Sequence, residues 1–242
     1  MRQMAPRLKL SDLTIYNKGL SDINNKRLLI NTLNAHSFCL SQNDEIFAEA
    51  LVQSDIILPD GISIVWAKRF LTGEILRKIA GYDLFHYEMT RLNHSKGTCF
   101  FLGSDNHTLQ LIFNRAKKEF PKVKISFYSP PFKSEFTNEE NIEMITSINR
   151  CHPDVLFIGM TAPKQEKWAY NFYKLLKVGH VCCIGAVFDF YAKTVTRAPN
   201  WIIRLGLEWL FRWIKEPRRM WPRYFTGIPR FAWLVLKEKI KM

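Results

Sequence analysis

Residues 98–128, TCFFLGSDNHTLQLIFNRAKKEFPKVKISFY, read as strand, helix, strand. Thr98–Leu102 and Val123–Tyr128 are short β-rich apolar runs, and Asn106–Phe120 between them carries a helical pattern. The CFFL core of the first run does not alternate apolar with polar, as expected of a strand covered by helices on both faces. Working outward, further strand candidates are Arg27–Leu33 and Asp55–Leu58 upstream, and Val155–Ile158 and His180–Ile184 downstream. Helix candidates are Asn43–Gln53, Ile62–Leu71, Asp83–Ser95, Asn138–Asn149 and Pro163–Lys177. Alternating βα units predict a mostly parallel sheet with right-handed crossovers, an α/β fold of the Rossmann-like αβα sandwich class.

At 242 residues the chain is one large domain, or a core with a small appendage. Hydrophobic residues at 47% and charged residues at 24% are globular values that exclude disorder and low-complexity repeats. The unusual quantity is charge: 35 Lys+Arg against 22 Asp+Glu leave +13, which predicts attraction to something anionic. Five cysteines with no CxxC spacing argue against a disulfide scaffold or a zinc ribbon and for reduced, buried thiols. The start, MRQMAPRLKLSDL, has no apolar core, so a secretory signal is not expected. The longest apolar run, about Val181–Phe188, falls far short of the ~20 residues that cross a bilayer.

The chain divides by composition into residues 1–196, the α/β core, and 197–242, a basic appendage. Trp201–Met242 holds ten Lys/Arg against three acids and five of the seven tryptophans. Pro217, Pro222 and Pro229 are expected to cut it into short helices. In the first piece Trp201, Ile202, Leu205, Trp209, Leu210, Trp213 and Ile214 form one stripe, and Arg204, Glu208, Arg212 and Lys215 another.

In an open parallel sheet, ligands bind beyond the carboxyl ends of the strands. The loops there are Thr32–Ser37, Leu58–Ser63, Leu102–Asp105, Gly159–Glu166 and Gly185–Asp189, small and polar residues that open helices. No GxGxxG, Walker loop, HExxH or GxSxG is present, and the six histidines show no metal-ligand spacing. No Asp-x-Asp pair is available to hold a divalent ion on a nucleotide-sugar. Asp60, between Pro59 and Gly61 at a strand end, is either a functional carboxylate or the N-cap of the next helix. Asp189 and Gln165-Glu166 carry the same ambiguity.

These loops, in this order, resemble the WecG/TagA/CpsF family of bacterial glycosyltransferases. The match rests on Thr32-Leu33-Asn34-Ala35, Pro59-Asp60-Gly61, Lys78–Leu84, Phe101–Ser104, Gly159–Glu166, Ile184–Asp189 and Arg197-Ala198-Pro199. Gly206–Arg212, Glu216–Arg219 and Arg223-Tyr224 complete it, from about Leu10 to Lys239. The resemblance implies a GT-E type fold and transfer of a sugar from a UDP-sugar onto a polyprenyl-diphosphate-linked saccharide, with inversion. It implies no cofactor and no metal, and a peripheral place on the cytoplasmic face of the bacterial membrane. The donor is of N-acetylmannosamine or glucose type, and a homo-oligomer is compatible with the family pattern.

By that likeness Asp60 is the catalytic base. Thr32, Asn34 and Gln165 line the pocket, and Arg212, Arg219 and Arg223 close it from the appendage. Gly61, Lys78, Asp83, Gly103, Glu166, Phe188 and Asp189, from the same blocks, are further candidates for substrate contact. Lys78 stands where the family usually has Arg, keeping the charge and losing the bidentate fork. An Asp of ordinary pKa, ~3.9, is ionised at neutral pH and can accept a proton from an attacking hydroxyl. With no Asp-x-Asp, charge on the departing diphosphate must meet cationic side chains or helix N-termini. Two rivals remain: a basic nucleic-acid-binding protein, to which interleaved Trp and Arg are also suited, and a UDP-sugar-binding relative without catalysis. No nucleic-acid motif is present, so nucleic acid is not the expected partner.

Overall fold

The computed structural model describes residues 8–24, 26–204 and 206–242, without the side chains of Asn200, Arg204, Arg219, Pro222 and Arg223. Six strands form one sheet: β1 Leu28–Leu33, β2 Ile56–Pro59, β3 Thr98–Gly103, β4 Lys124–Tyr128, β5 Val155–Gly159 and β6 His180–Cys183. Their order is β2-β1-β6-β5-β3-β4, and every recorded pairing is parallel. The sequence expectation of a mostly parallel sheet thus becomes an all-parallel one, and all six strands lie within two residues of their expected bounds. The strand interiors are buried on both faces, as their lack of alternation requires.

Helices α1 Ala35–Ser41, α2 Glu45–Val52, α3 Ile62–Thr72 and α4 Gly81–Ser95 precede β3. Then come α5 Asn106–Glu119, α6 Asn138–Cys151, α7 Lys164–Phe172 and α8 Val187–Ala192. One face of the sheet packs on α4, α5 and α8 through Phe85, Leu109, Ile112, Val187 and Phe188. The other packs on α6 and α7 through Met144, Ile148, Trp168 and Ala169. Sequence reading missed α1 and α8. Asn34 makes α1 possible, its Oδ1 accepting from Ser37 N at 3.0 Å while Ser37 Oγ accepts from Asn34 N at 2.9 Å. The apolar run Val181–Phe188 conceals a break at Gly185, whose φ of 53° turns β6 toward α8.

The last segment holds α9 Asn200–Arg204, α10 Glu208–Lys215, α11 Pro217–Trp221, a π-helical turn Pro222–Thr226 and α12 Gly227–Ile240. Pro217 and Pro222 begin new pieces as expected, but Pro229 does not interrupt α12. It lies in the first turn, where its missing N–H has no helical partner to lose. Helix α12 is built into the body: Phe231 and Val235 are buried with Leu10, Leu13, Leu33, Phe38 and Leu71. The backbone N–H groups of Leu10 and Ser11 donate to Glu238 at 3.0 and 2.7 Å. Among the described residues no helix is long and apolar enough to cross a membrane. All five cysteines are free thiols, four of them buried and Cys151 half-buried.

Candidate active site

The carboxyl ends of β1, β2, β5 and β6 lie on one side of the parallel sheet, where a ligand crevice is expected. The loops after β1 and β2 are laced together there: Asp60 N donates to Leu33 O at 2.9 Å, and Ile79 N donates to Pro59 O at 3.1 Å. The second bond brings Lys78 and the start of α4 against the Asp60 loop. Gly61, not Asp60, is the N-cap of α3, with φ 134° and no side-chain cap bond. A Cβ at Gly61 would stand 3.8 Å from Asn34 Cβ, so the two loops are in close contact. The capping alternative for Asp60 is therefore not taken, and among the described residues its carboxylate makes no recorded hydrogen bond.

Asp60 is half-buried in the crevice. Burial, reinforced by the carboxylates of Glu208 and Asp83, pushes its pKa up to about 6, while Lys78 and Arg212 act in the opposite sense. The ordinary value expected from sequence is thus displaced toward neutrality, into the range that suits a base working at neutral pH. Four charged groups from two distant stretches of the chain, residues 78–83 and 208–212, act on one carboxylate. Two come from α10, whose polar stripe faces this crevice.

Lys78 Nζ lies 3.2 Å from Glu208 Oε2, with each side chain 22% exposed. This ion pair ties α10 to the loop ahead of α4. One turn further along α10, the Arg212 guanidinium lies over the Phe190 ring at 5.1 Å, and its Nε is buried without a hydrogen-bond partner. On the opposite side of α10, Trp209 and Ile214 are exposed, as are Trp201 on α9 and Trp221 and Phe225 beyond. Trp221 and Phe225 stack at 4.1 Å, and Trp209 meets Tyr224 edge-on at 5.8 Å.

The other residues expected from the sequence are placed as follows. Thr32 is buried at the end of β1, its hydroxyl directed at Cys183 O across the sheet at 3.4 Å. Gln165 Oε1 accepts from Gly185 N at 3.0 Å, and its Nε2 donates to Glu166 Oε1 at 2.9 Å. Burial pushes the Glu166 carboxyl up to about 7, and its other oxygen has no partner. Asp83 accepts from Ala80 N at 2.9 Å and is exposed. Asp189 is half-buried on α8, and its carbonyl accepts from Val195 N at 3.3 Å. Gly103, at φ 118°, ends β3 against β5, where a Cβ would stand 2.6 Å from Gly159 O. Phe188 is turned inward, against Phe101 at 5.5 Å and Gly159, and belongs to the core. The side chains of Arg219 and Arg223 lie outside the described residues.

Sequence reasoning missed Glu208. Its spacing of four from Arg212 was visible, but a charged stripe on an amphipathic helix reads as solvated until the helix has a known neighbour. The ion pair with Lys78, which holds this part of α10 against the loop ahead of α4, is what gives the acid a role.

A family model described as "Glycosyl transferase WecG/TagA/CpsF family" matches residues 9–242. Over 211 residues the chain is 33% identical to a protein of Bacillus subtilis (strain 168), covering 87% of this chain and 80% of the relative. That relative is named N-acetylglucosaminyldiphosphoundecaprenol N-acetyl-beta-D-mannosaminyltransferase. Proteins of the same name from Bacillus spizizenii and Staphylococcus aureus (strain MW2) are 31% and 24% identical over 215 and 217 residues. These alignments cover 85% and 89% of this chain, and 81% and 82% of the relatives. The family model's match over residues 9–242, with 33% identity to a relative over 87% of this chain, makes the protein a glycosyltransferase of the WecG/TagA/CpsF family.

Proposed function

We propose that the chain moves N-acetylmannosamine from a UDP-activated donor onto an N-acetylglucosaminyl-diphosphate-polyprenol, as the names of its relatives suggest. Asp60 takes the proton of the acceptor hydroxyl as that oxygen attacks the anomeric carbon. The bond from that carbon to the diphosphate oxygen breaks on the opposite side, so the configuration inverts. Arg212 and Lys78 meet the charge left on UDP, joined by Arg219 and Arg223 by family likeness; no metal ion is required. Support comes above all from one observation, the half-buried Asp60 carboxylate beside Lys78 and Arg212, with its pKa pushed up to about 6 by burial. Release of UDP from a panel of UDP-sugars, with and without a synthetic lipid-diphosphate-N-acetylglucosamine, tests this. Acceptor-dependent release from UDP-N-acetylmannosamine is expected, and its absence with every donor would overturn the reading.

The exposed aromatic residues of α9–α11 and the exposed Lys215 and Arg218 suit a peripheral place at an anionic membrane surface. Each basic residue near such a surface contributes roughly 1 kcal/mol, and Trp side chains favour the headgroup region. In this reading the segment from residue 197 to the start of α12 is the lipid-facing part.

The pH profile offers a further expected result. A base must be ionised, so kcat/KM falls as pH drops below about 6. Glu208→Gln removes a negative neighbour, lowers the Asp60 pKa and moves that acid limb to lower pH. Lys78→Met removes a positive one and moves it higher. Activity at pH 5.5 relative to pH 8 should therefore change a few-fold in opposite directions in the two variants. Coincident profiles would separate Glu208 and Lys78 from the base.

A further inference from the structure

A second cavity, of about 460 Å³, lies along the outer side of α4, lined by Tyr82, Asp83, His86, Tyr87, Thr90 and Arg197. It falls within the usual size of a small-molecule site. It begins beside the catalytic loop: Asp83 accepts from Ala80 N at 2.9 Å, and the adjacent Ile79 N is bonded to Pro59 O. The Arg197 guanidinium carbon lies over the Tyr82 ring, 4.0 Å from its centroid, with its Nε buried and unpaired. Stacking holds the planar fork by one face and leaves its edge for bidentate contact with an oxyanion. Asp83 and His86 are exposed, and Tyr87 and Thr90 half-buried, so acceptors and donors stand beside phenol rings. Carboxylate, imidazole and hydroxyl beside aromatic faces, with one guanidinium at the end, is the chemistry of a saccharide carrying phosphate.

We propose that this groove seats the acceptor, with its sugar against Asp83, His86 and Tyr87 and its diphosphate on Arg197. The assignment rests on the glycosyl-transfer reading. A donor is also a sugar joined to a diphosphate, but Lys78 and Arg212 already supply cations for it within the crevice. The groove instead starts at Asp83 in the first turn of α4, whose carboxylate also acts on Asp60, so an acceptor seated there would approach the base from that side. Arg197 continues through Ala198 and Pro199 into α9, whose Trp201 is 63% exposed, so a lipid tail leaving the diphosphate would meet an apolar surface.

The test uses the full-length chain with Tyr87→Ala, His86→Ala, Arg197→Ala and Arg197→Lys. Losing a charge-assisted contact should raise the acceptor KM of Arg197→Ala about tenfold or more, with donor KM and UDP affinity unchanged. Arg197→Lys should fall between, because Lys keeps the charge without the fork. An unchanged acceptor KM, a rise in donor KM alone, or equal rises in both would overturn the assignment. Direct binding of a short-chain, water-soluble N-acetylglucosaminyl diphosphate ester is measured in parallel. If the wild type transfers nothing, the glycosyl-transfer reading fails, and this binding arm still decides the groove. Binding weakened by Arg197→Ala supports it, whereas no binding to the wild type, or equal binding to both, refutes it.

Discussion

Asp60→Asn should lower kcat by about a hundred- to ten-thousandfold, the usual contribution of a positioned general base, while leaving UDP affinity near that of the wild type. Its effect on stability carries the opposite sign. The folded protein holds this carboxyl at about 6 against an ordinary 3.8, so the native state binds the proton more tightly than the unfolded chain. The stability that this group contributes is complete below about pH 4 and is lost as pH rises through 6. At pH 7.5 the asparagine variant should therefore melt no lower than the wild type, and the difference should narrow toward pH 4. A variant that melts lower at pH 7.5 would point to a structural role for the carboxylate. Unchanged kcat with the native acceptor would remove Asp60 from the reaction.

Deleting residues 227–242 should abolish the cooperative thermal transition as well as activity. Phe231 and Val235 fill the cluster formed by Leu10, Phe38 and Leu71, and each such side chain stabilises by about 1.5–3 kcal/mol. The bonds from Leu10 and Ser11 to Glu238, and from Lys239 Nζ to Leu71 O at 3.0 Å, go with them. Together these losses approach the ~5–15 kcal/mol that holds a typical domain folded. A truncation that removes the whole basic segment therefore cannot separate membrane attachment from folding. The paired variant Trp221→Ser, Phe225→Ser can, since both rings are exposed and stack on each other. It should keep the wild-type melting temperature and lose most of its sedimentation with anionic vesicles. A truncated chain that melts cooperatively, or a paired variant that still sediments fully, would contradict this account.

The sheet was legible because runs such as Cys99–Leu102 and Val155–Ile158 are apolar without alternation, a pattern with few other solutions in chains of alternating type. The Asp60 loop was legible for a related reason: strand ends in a parallel sheet face the ligand side, and Pro59-Asp60-Gly61 is a strand end. What escaped depended on contacts between distant segments. Lys237, Glu238 and Lys239 look like the solvated end of a helix, yet Glu238 satisfies backbone N–H groups 227 and 228 residues away. Glu208 looks like an outward charge until α10 is turned toward the crevice. The raised pKa of Asp60 likewise arises from burial by the folded chain, reinforced by Glu208 and Asp83, which spacing along the chain cannot bring together.

The thiol inventory has a practical corollary. Burial pushes the pKa of Cys39, Cys99, Cys182 and Cys183 upward, which suppresses the reactive thiolate, whereas Cys151 is partly open at the end of α6. That helix terminus precedes β5 and so lies at the amino end of the parallel strands, opposite the side of the Asp60 loop. A maleimide dye added to the native protein should settle there, giving an optical reporter of vesicle docking without any engineered cysteine.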